Sequence, residues 1–178
     1  MKNIIRKIKS WLSRNYVLVR FYSLLAYCWL LLYFVLHWDV SHKYIAVQLP
    51  IFMAKTVVVV LQTFGVEANS HVATVSVPGF AFEIIYQCAG IFGMMIYASA
   101  VIAFPSTIKE KLFGLALGIP GLYLINTIRM SALAVIGMYW KDLFDFFHEW
   151  MWQGIFIVFV IVFWLIWKEK FVHSEAHS

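Results

Sequence analysis

Residues 44–66, YIAVQLPIFMAKTVVVVLQTFGV, decide how this chain meets a membrane. The stretch is long enough to cross a bilayer, for which about 20 apolar residues suffice. It nevertheless contains Pro50 and Lys55, and its polar residues Gln48, Lys55 and Gln62 recur every seven positions. On a helix that spacing collects them into one narrow stripe. Such a segment suits an amphipathic helix lying at the outer membrane interface, or packed across a helical bundle. A further span with a buried polar seam is the competing reading.

The remainder of the chain supplies the parity that separates the two. Of its 178 residues, 63% are hydrophobic, 19% aromatic and 13% charged, with a mean hydropathy of +0.82. Soluble domains are about 45–50% apolar and about 25% charged, so the solvent here is the lipid bilayer. Outside 44–66 the apolar stretches are Tyr16–Leu36, Cys88–Phe104, Leu112–Met138 and Trp150–Trp167. The basic residues cluster from Lys2 to Arg20, at Lys109 and Lys111, and at Lys168 and Lys170. The positive-inside rule places all three clusters in the cytoplasm. Both termini are then inside, and the number of crossings is even. The formal charge of +5 thus orients the chain in a membrane and gives no footprint for nucleic acid. The segment 1–15 resembles the basic start of a signal peptide, but the following apolar run is long and carries no cleavage site, so it reads as an uncleaved anchor. Residues 168–178 form a cytoplasmic tail.

Between 44–66 and the next stretch lies EANSHVATVSVPGFAFEIIYQ, residues 67–87. The alternation in VATVSV, the Pro78-Gly79 turn signal and the second alternation in FAFEI predict a β-hairpin. With four crossings it lies on the outer face. The expected fold is an all-α integral membrane protein forming a single domain over 1–178. It has about four transmembrane helices, an amphipathic interfacial helix at 44–66 and a small outer β-hairpin at 67–87.

This topology brings polar residues from three elements to one depth. Cys88 opens the second span at its outer end, Arg129 lies late in the third, and His148 immediately precedes the fourth. An arginine inside a span costs at least about 2.5–3.5 kcal/mol on insertion scales, so Arg129 faces the protein interior or a wet cavity. A structural ion pair with Glu83, Asp142, Asp145 or Glu149 is one explanation. Catalysis is the other. Asn126, three residues earlier on the same helical face, is placed to orient the guanidinium. A cysteine at a helix N-terminus near an arginine should have its thiolate stabilised, and a histidine within reach can act as general base and acid. Arg129 would then stabilise the thiolate or an oxyanion. Buried cysteines are more often inert packing, and that alternative stays open for Cys88 taken alone.

The two cysteines, Cys28 and Cys88, fall at different depths and are not expected to bridge. His37, His42 and His71 share the outer side with His148 but lack metal-ligand spacing, so neither a metal nor any other cofactor is expected. His173 and His177 belong to the tail. Trp150, Trp152, Trp164 and Trp167 read as interfacial belts and packing. A non-catalytic membrane scaffold and, more weakly, a small transporter compete with the enzyme reading.

Taken together, GFAFEIIYQCAG, LINTIR and FHEWMWQGIF, in that order and spacing, resemble the exosortase/archaeosortase family over about residues 45–167. The short length and the segment IAFPSTIKEKLFGLALG are most similar to the compact exosortase H group. The resemblance implies a membrane-embedded cysteine transpeptidase that processes proteins carrying a C-terminal sorting signal: a short motif, a transmembrane helix and a basic cluster. It implies Cys88 as nucleophile, Arg129 and His148 as its partners, and Glu83 in a supporting role, holding Arg129. The implied location is a prokaryotic cytoplasmic membrane with the active site facing outward.

Overall fold

A computed structural model describes residues 15–148 and 152–172. Residues 1–14 of the basic segment, Glu149, Trp150, and His173 and His177 of the tail lie outside the described residues, as do the side chains of His37, His42 and Trp152. The helices are α1 (Tyr16–His37), α2 (Asp39–Thr63), α3 (Ile91–Ala103), α4 (Ile108–Tyr139), α5 (Lys141–Phe146) and α6 (Trp152–Phe171). Three short strands, β1 (Asn69–His71), β2 (Thr74–Val77) and β3 (Phe80–Glu83), lie between α2 and α3.

Helix α4 starts where the sequence TIKE closes a capping box. The Glu110 N–H donates to Thr107 Oγ1 at 3.4 Å while the Thr107 N–H donates to Glu110 Oε2 at 2.8 Å. These two bonds satisfy donors that a helix start otherwise leaves open. The helix then runs through Pro120 for 32 residues, about 48 Å at 1.5 Å per residue. A bilayer's hydrocarbon core is only about 30 Å thick. The surplus length lets α4 serve two separate cores. In its first half, Leu122 packs with Tyr97 and Val101 of α3 and with Phe156, Val160 and Trp167 of α6. Near its end, Met130, Leu133 and Ala134 pack with Met53, Ala54, Val57, Val58 and Leu61 of α2 and with Val75 and Val77 of β2.

In the first core, aromatic side chains sit on glycines. The Tyr97 ring lies over Gly118 and Trp167 over Gly114, so closely that a Cβ at either glycine would overlap the ring. Each aromatic also donates a hydrogen bond to the α4 backbone, Tyr97 Oη to the Gly114 carbonyl and Trp167 Nε1 to the Glu110 carbonyl, both at 2.9 Å. A polar tip buried in a bundle is thereby satisfied without a side-chain partner.

Helix α2 extends beyond the 44–66 segment at its start and ends at Thr63, three residues short of its end. Its buried positions 53, 54, 57, 58 and 61 form one face, while Gln48, Lys55 and Gln62 are exposed. By length and composition, the described helices long and apolar enough to cross a membrane are Tyr44–Thr63 and Ile108–Tyr139; Val19–Val35 and Ile91–Ala103 are shorter apolar helices.

The segment 67–87 departs from a simple hairpin. It is a three-stranded antiparallel sheet in the order β1-β2-β3. The expected half is present: Val77 pairs with Phe80 across Pro78-Gly79, and Gly79 has φ of 74°, as a proline-glycine turn requires. The added strand β1 pairs His71 with Thr74 across the two-residue turn Val72-Ala73. Val72 there has φ of 55°, a region β-branched residues rarely enter. No glycine or asparagine marks this turn, so VATVSV reads in sequence as one strand.

Packing of Tyr97 on Gly118 predicts a specific sensitivity. Gly118→Val should destabilise the protein by about 1–3 kcal/mol through overpacking, lowering the thermal unfolding midpoint in detergent. An unchanged midpoint would show that the ring can move aside.

Candidate active site

Between the two cores, α4 carries a run of buried polar side chains: Asn126, Thr127 and Arg129. Arg129 is only 4% exposed. Its Nη1 donates to Asn126 Oδ1 at 3.2 Å, and its Nε is buried without a hydrogen-bond partner among the described residues. The same Asn126 side chain donates from Nδ2 to the carbonyl oxygen of Cys88 at 2.9 Å. One amide therefore fixes both the guanidinium and the backbone of the cysteine.

Cys88 does not begin a helix. It lies in a turn over residues 86–90, its N–H bonded to the Ile85 carbonyl at 2.9 Å. Gly90 ends the turn with φ of 80° and serves as N-cap of α3. A Cβ on Gly90 would come within 3.0 Å of Asn126 Cγ. Glycine is thus required twice over here, for its positive φ and for the close approach of α4. The thiol is nearly buried, and Cys88 and Cys28 are both free.

The Cys88 Sγ and His148 Nε2 atoms lie 3.2 Å apart. His148 follows α5, and its ring stacks on Phe144 with centroids 5.5 Å apart and planes 7° from parallel. Phe144 in turn contacts Phe80 and Phe82 of β3, at centroid distances of 4.9 Å and 5.8 Å. The sheet thus supports the ring that supports the histidine. The sequence reading overlooked Phe144, although its place four residues before His148 on a helical segment was a usable signal.

Electrostatically, two effects oppose each other at Cys88. Burial pushes the thiol above its ordinary value, and the Arg129 charge only partly offsets this. Without a helix N-terminus at Cys88, the expected stabilisation of the thiolate gives way to desolvation. A neutral thiol in contact with an imidazole is suited to transfer its proton as the sulfur attacks, forming a thiolate–imidazolium pair beside a guanidinium.

Glu83 is the site residue that remains apart. It ends β3 opposite Thr74, with its side chain exposed. Among the described residues no ion pair joins Arg129 to Glu83, Asp142 or Asp145. Also among the described residues, no cluster of three or more His, Cys, Asp or Glu side chains is arranged for a metal ion.

The family model for the transmembrane exosortases (Exosortase_EpsH) matches residues 17–168. The chain belongs to the exosortase family. Neither curated proteins nor solved structures give a match. In this exosortase-family chain the matched span contains both cores, the sheet and the cluster formed by Cys88, Asn126, Arg129 and His148.

The opposition of burial and Arg129 at the thiol has a measurable sign. In a Cys28→Ser background, Arg129→Gln removes the guanidinium charge that lowers the Cys88 pKa. The thiolate fraction at neutral pH then falls. Alkylation of Cys88 by iodoacetamide should be slower, with its pH profile displaced to higher pH. Identical profiles would show that the guanidinium does not act on the sulfur.

Proposed function

We propose that this membrane protein is a cysteine endopeptidase/transpeptidase acting on the C-terminal sorting signal of secreted proteins. The observation that carries the reading is the 3.2 Å contact between Cys88 Sγ and His148 Nε2, beside the buried Arg129 and within an exosortase match. His148 Nε2 accepts the thiol proton as Sγ attacks the scissile carbonyl carbon. Arg129 stabilises the oxyanion that develops on the carbonyl oxygen. The carbon–nitrogen bond then breaks, and the imidazolium returns its proton to the departing amine. The product is a thioester on Cys88 and a released fragment holding the signal's helix and basic cluster. An acceptor amine, deprotonated by His148, resolves the thioester; with water in its place the outcome is hydrolysis.

In this reading α1, α3, α4 and α6 cross the cytoplasmic membrane, α2 lies at the outer interface, and the sheet covers the outer ends. Both termini are cytoplasmic. The arrangement of basic residues supports this orientation, with Arg20, Lys109, Lys111, Lys168 and Lys170 at one end of the bundle and the cysteine turn toward the other. Helix α3 has 13 residues, a rise of about 20 Å against a hydrocarbon core of about 30 Å. The turn bearing Cys88 therefore sits recessed below the outer surface. A substrate held by its own transmembrane helix reaches that depth, and a freely diffusing peptide does not.

Co-expression with a protein carrying such a signal provides the test. Cys88→Ala and Cys88→Ser should abolish processing while leaving the protein folded. His148→Gln should slow processing about a hundredfold or more at neutral pH. The raised thiol pKa gives this variant a rising alkaline limb, because hydroxide must replace the missing base. Arg129→Lys should also be impaired, since lysine lacks the planar fork. Normal processing by Cys88→Ser would leave a non-catalytic scaffold as the better account.

A further inference from the structure

At the basic end of the bundle, opposite the cysteine, α1 and the α3–α4 connection enclose a cavity of about 220 Å³. Its lining includes Arg20, Lys111 and Ser106 together with Phe21, Leu24 and Phe104, and no acidic residue among the described residues. Lys111 is held in place by its Nζ, which donates to the Ile102 carbonyl at 2.6 Å. That carbonyl lies in the last turn of α3, where a cation also meets the negative end of the helix. Two ammonium protons of Lys111 remain for another acceptor. The neighbouring Glu110 carboxylate is directed to the Thr107 N–H. A third cation, Lys168, sits over the Phe104 ring at 5.9 Å from its centroid. Positive charge is concentrated here without a carboxylate on the cavity wall among the described residues.

The apolar side of this cavity has a direction. Along α1, Leu24 lies one turn beyond Arg20, toward the middle of the bundle. Phe21 and Phe104 line the cavity with it. A charged pocket at the helix ends, with apolar side chains leading from it toward the centre, matches a molecule with an anionic head and a hydrocarbon chain.

We infer that this cavity binds an anionic phospholipid. The phosphodiester lies between Arg20 and Lys111, and an acyl chain leaves past Leu24 toward the middle of the bundle. Basic pockets between membrane helices hold anionic headgroups by the same chemistry. The inference requires only that the chain be membrane-embedded, and it is independent of the chemistry at Cys88.

The test is native mass spectrometry of the full chain in neutral detergent, titrated separately with dioleoyl phosphatidylglycerol and dioleoyl phosphatidylcholine. The readout is the ratio of the two affinities within each variant, which is insensitive to a general loss of stability. The wild type should favour phosphatidylglycerol by roughly tenfold or more, at about fivefold per cation. Arg20→Gln should reduce the ratio about fivefold, and Arg20→Gln with Lys111→Gln should bring it near unity. Lys170→Gln, which removes an exposed cation outside the cavity, should leave it unchanged. Arg20 is exposed and makes no hydrogen bond among the described residues, so its replacement does not threaten the fold. A wild-type ratio near one, or a preference that survives in the double variant, overturns the inference. Displacement of phosphatidylglycerol by equimolar inorganic phosphate also overturns it, because the site would then recognise a free anion.

Discussion

The Asn126 side chain is the interaction on which the arrangement around Cys88 depends. Its carbonyl oxygen receives the Arg129 guanidinium, and its amide nitrogen holds the Cys88 carbonyl. A buried arginine in a membrane protein is expensive unless its hydrogen-bonding capacity is met. Asn126 meets only part of that demand, leaving Nε unsatisfied. The remaining polarity sits beside the thiol, where negative charge would develop in an acyl transfer. Gly90 lets α4 come close enough for this contact, because any side chain at that position would meet the asparagine.

The same residues mark the boundary between two packing environments. On one side, aromatic rings fit onto glycines of α4 within the helical bundle. On the other, α2 and the sheet cover the end of α4. A helix longer than the hydrocarbon core joins the two, and its polar residues occupy the junction. Both cores restrain the junction, so Cys88 and His148 are held from opposite directions: the cysteine through Asn126 and the turn, the histidine through Phe144 and β3. This answers the unfavourable electrostatics of the thiol. Burial raises its pKa more than the neighbouring Arg129 charge lowers it, and the imidazole in contact with the sulfur is placed to accept its proton.

Much of this was legible in the sequence. Each apolar stretch carries a helix, the Pro78-Gly79 turn joins two strands, and the chain belongs to the exosortase family that its ordered motifs resemble. The errors have physical causes. Strand β1 escaped notice because its turn uses Val72 and Ala73, neither a turn former. Helix α3 starts three residues after Cys88 because Gly90 adopts a left-handed conformation, whereas hydropathy registers only that the residues are apolar. The family resemblance implied that Glu83 holds Arg129, and strand alternation instead turns Glu83 outward.

The sequence by itself determined the solvent, the number and type of apolar helices, the family and the candidate site residues. These follow from composition, periodicity and ordered motifs, which are local or additive properties of the chain. Tertiary structure alone decided that Asn126 joins Arg129 to Cys88, that Phe144 backs His148, and that burial outweighs the arginine at the sulfur. Those outcomes depend on distances between residues 38 and 60 positions apart and on the exclusion of water around them. Neither quantity is written in any one segment.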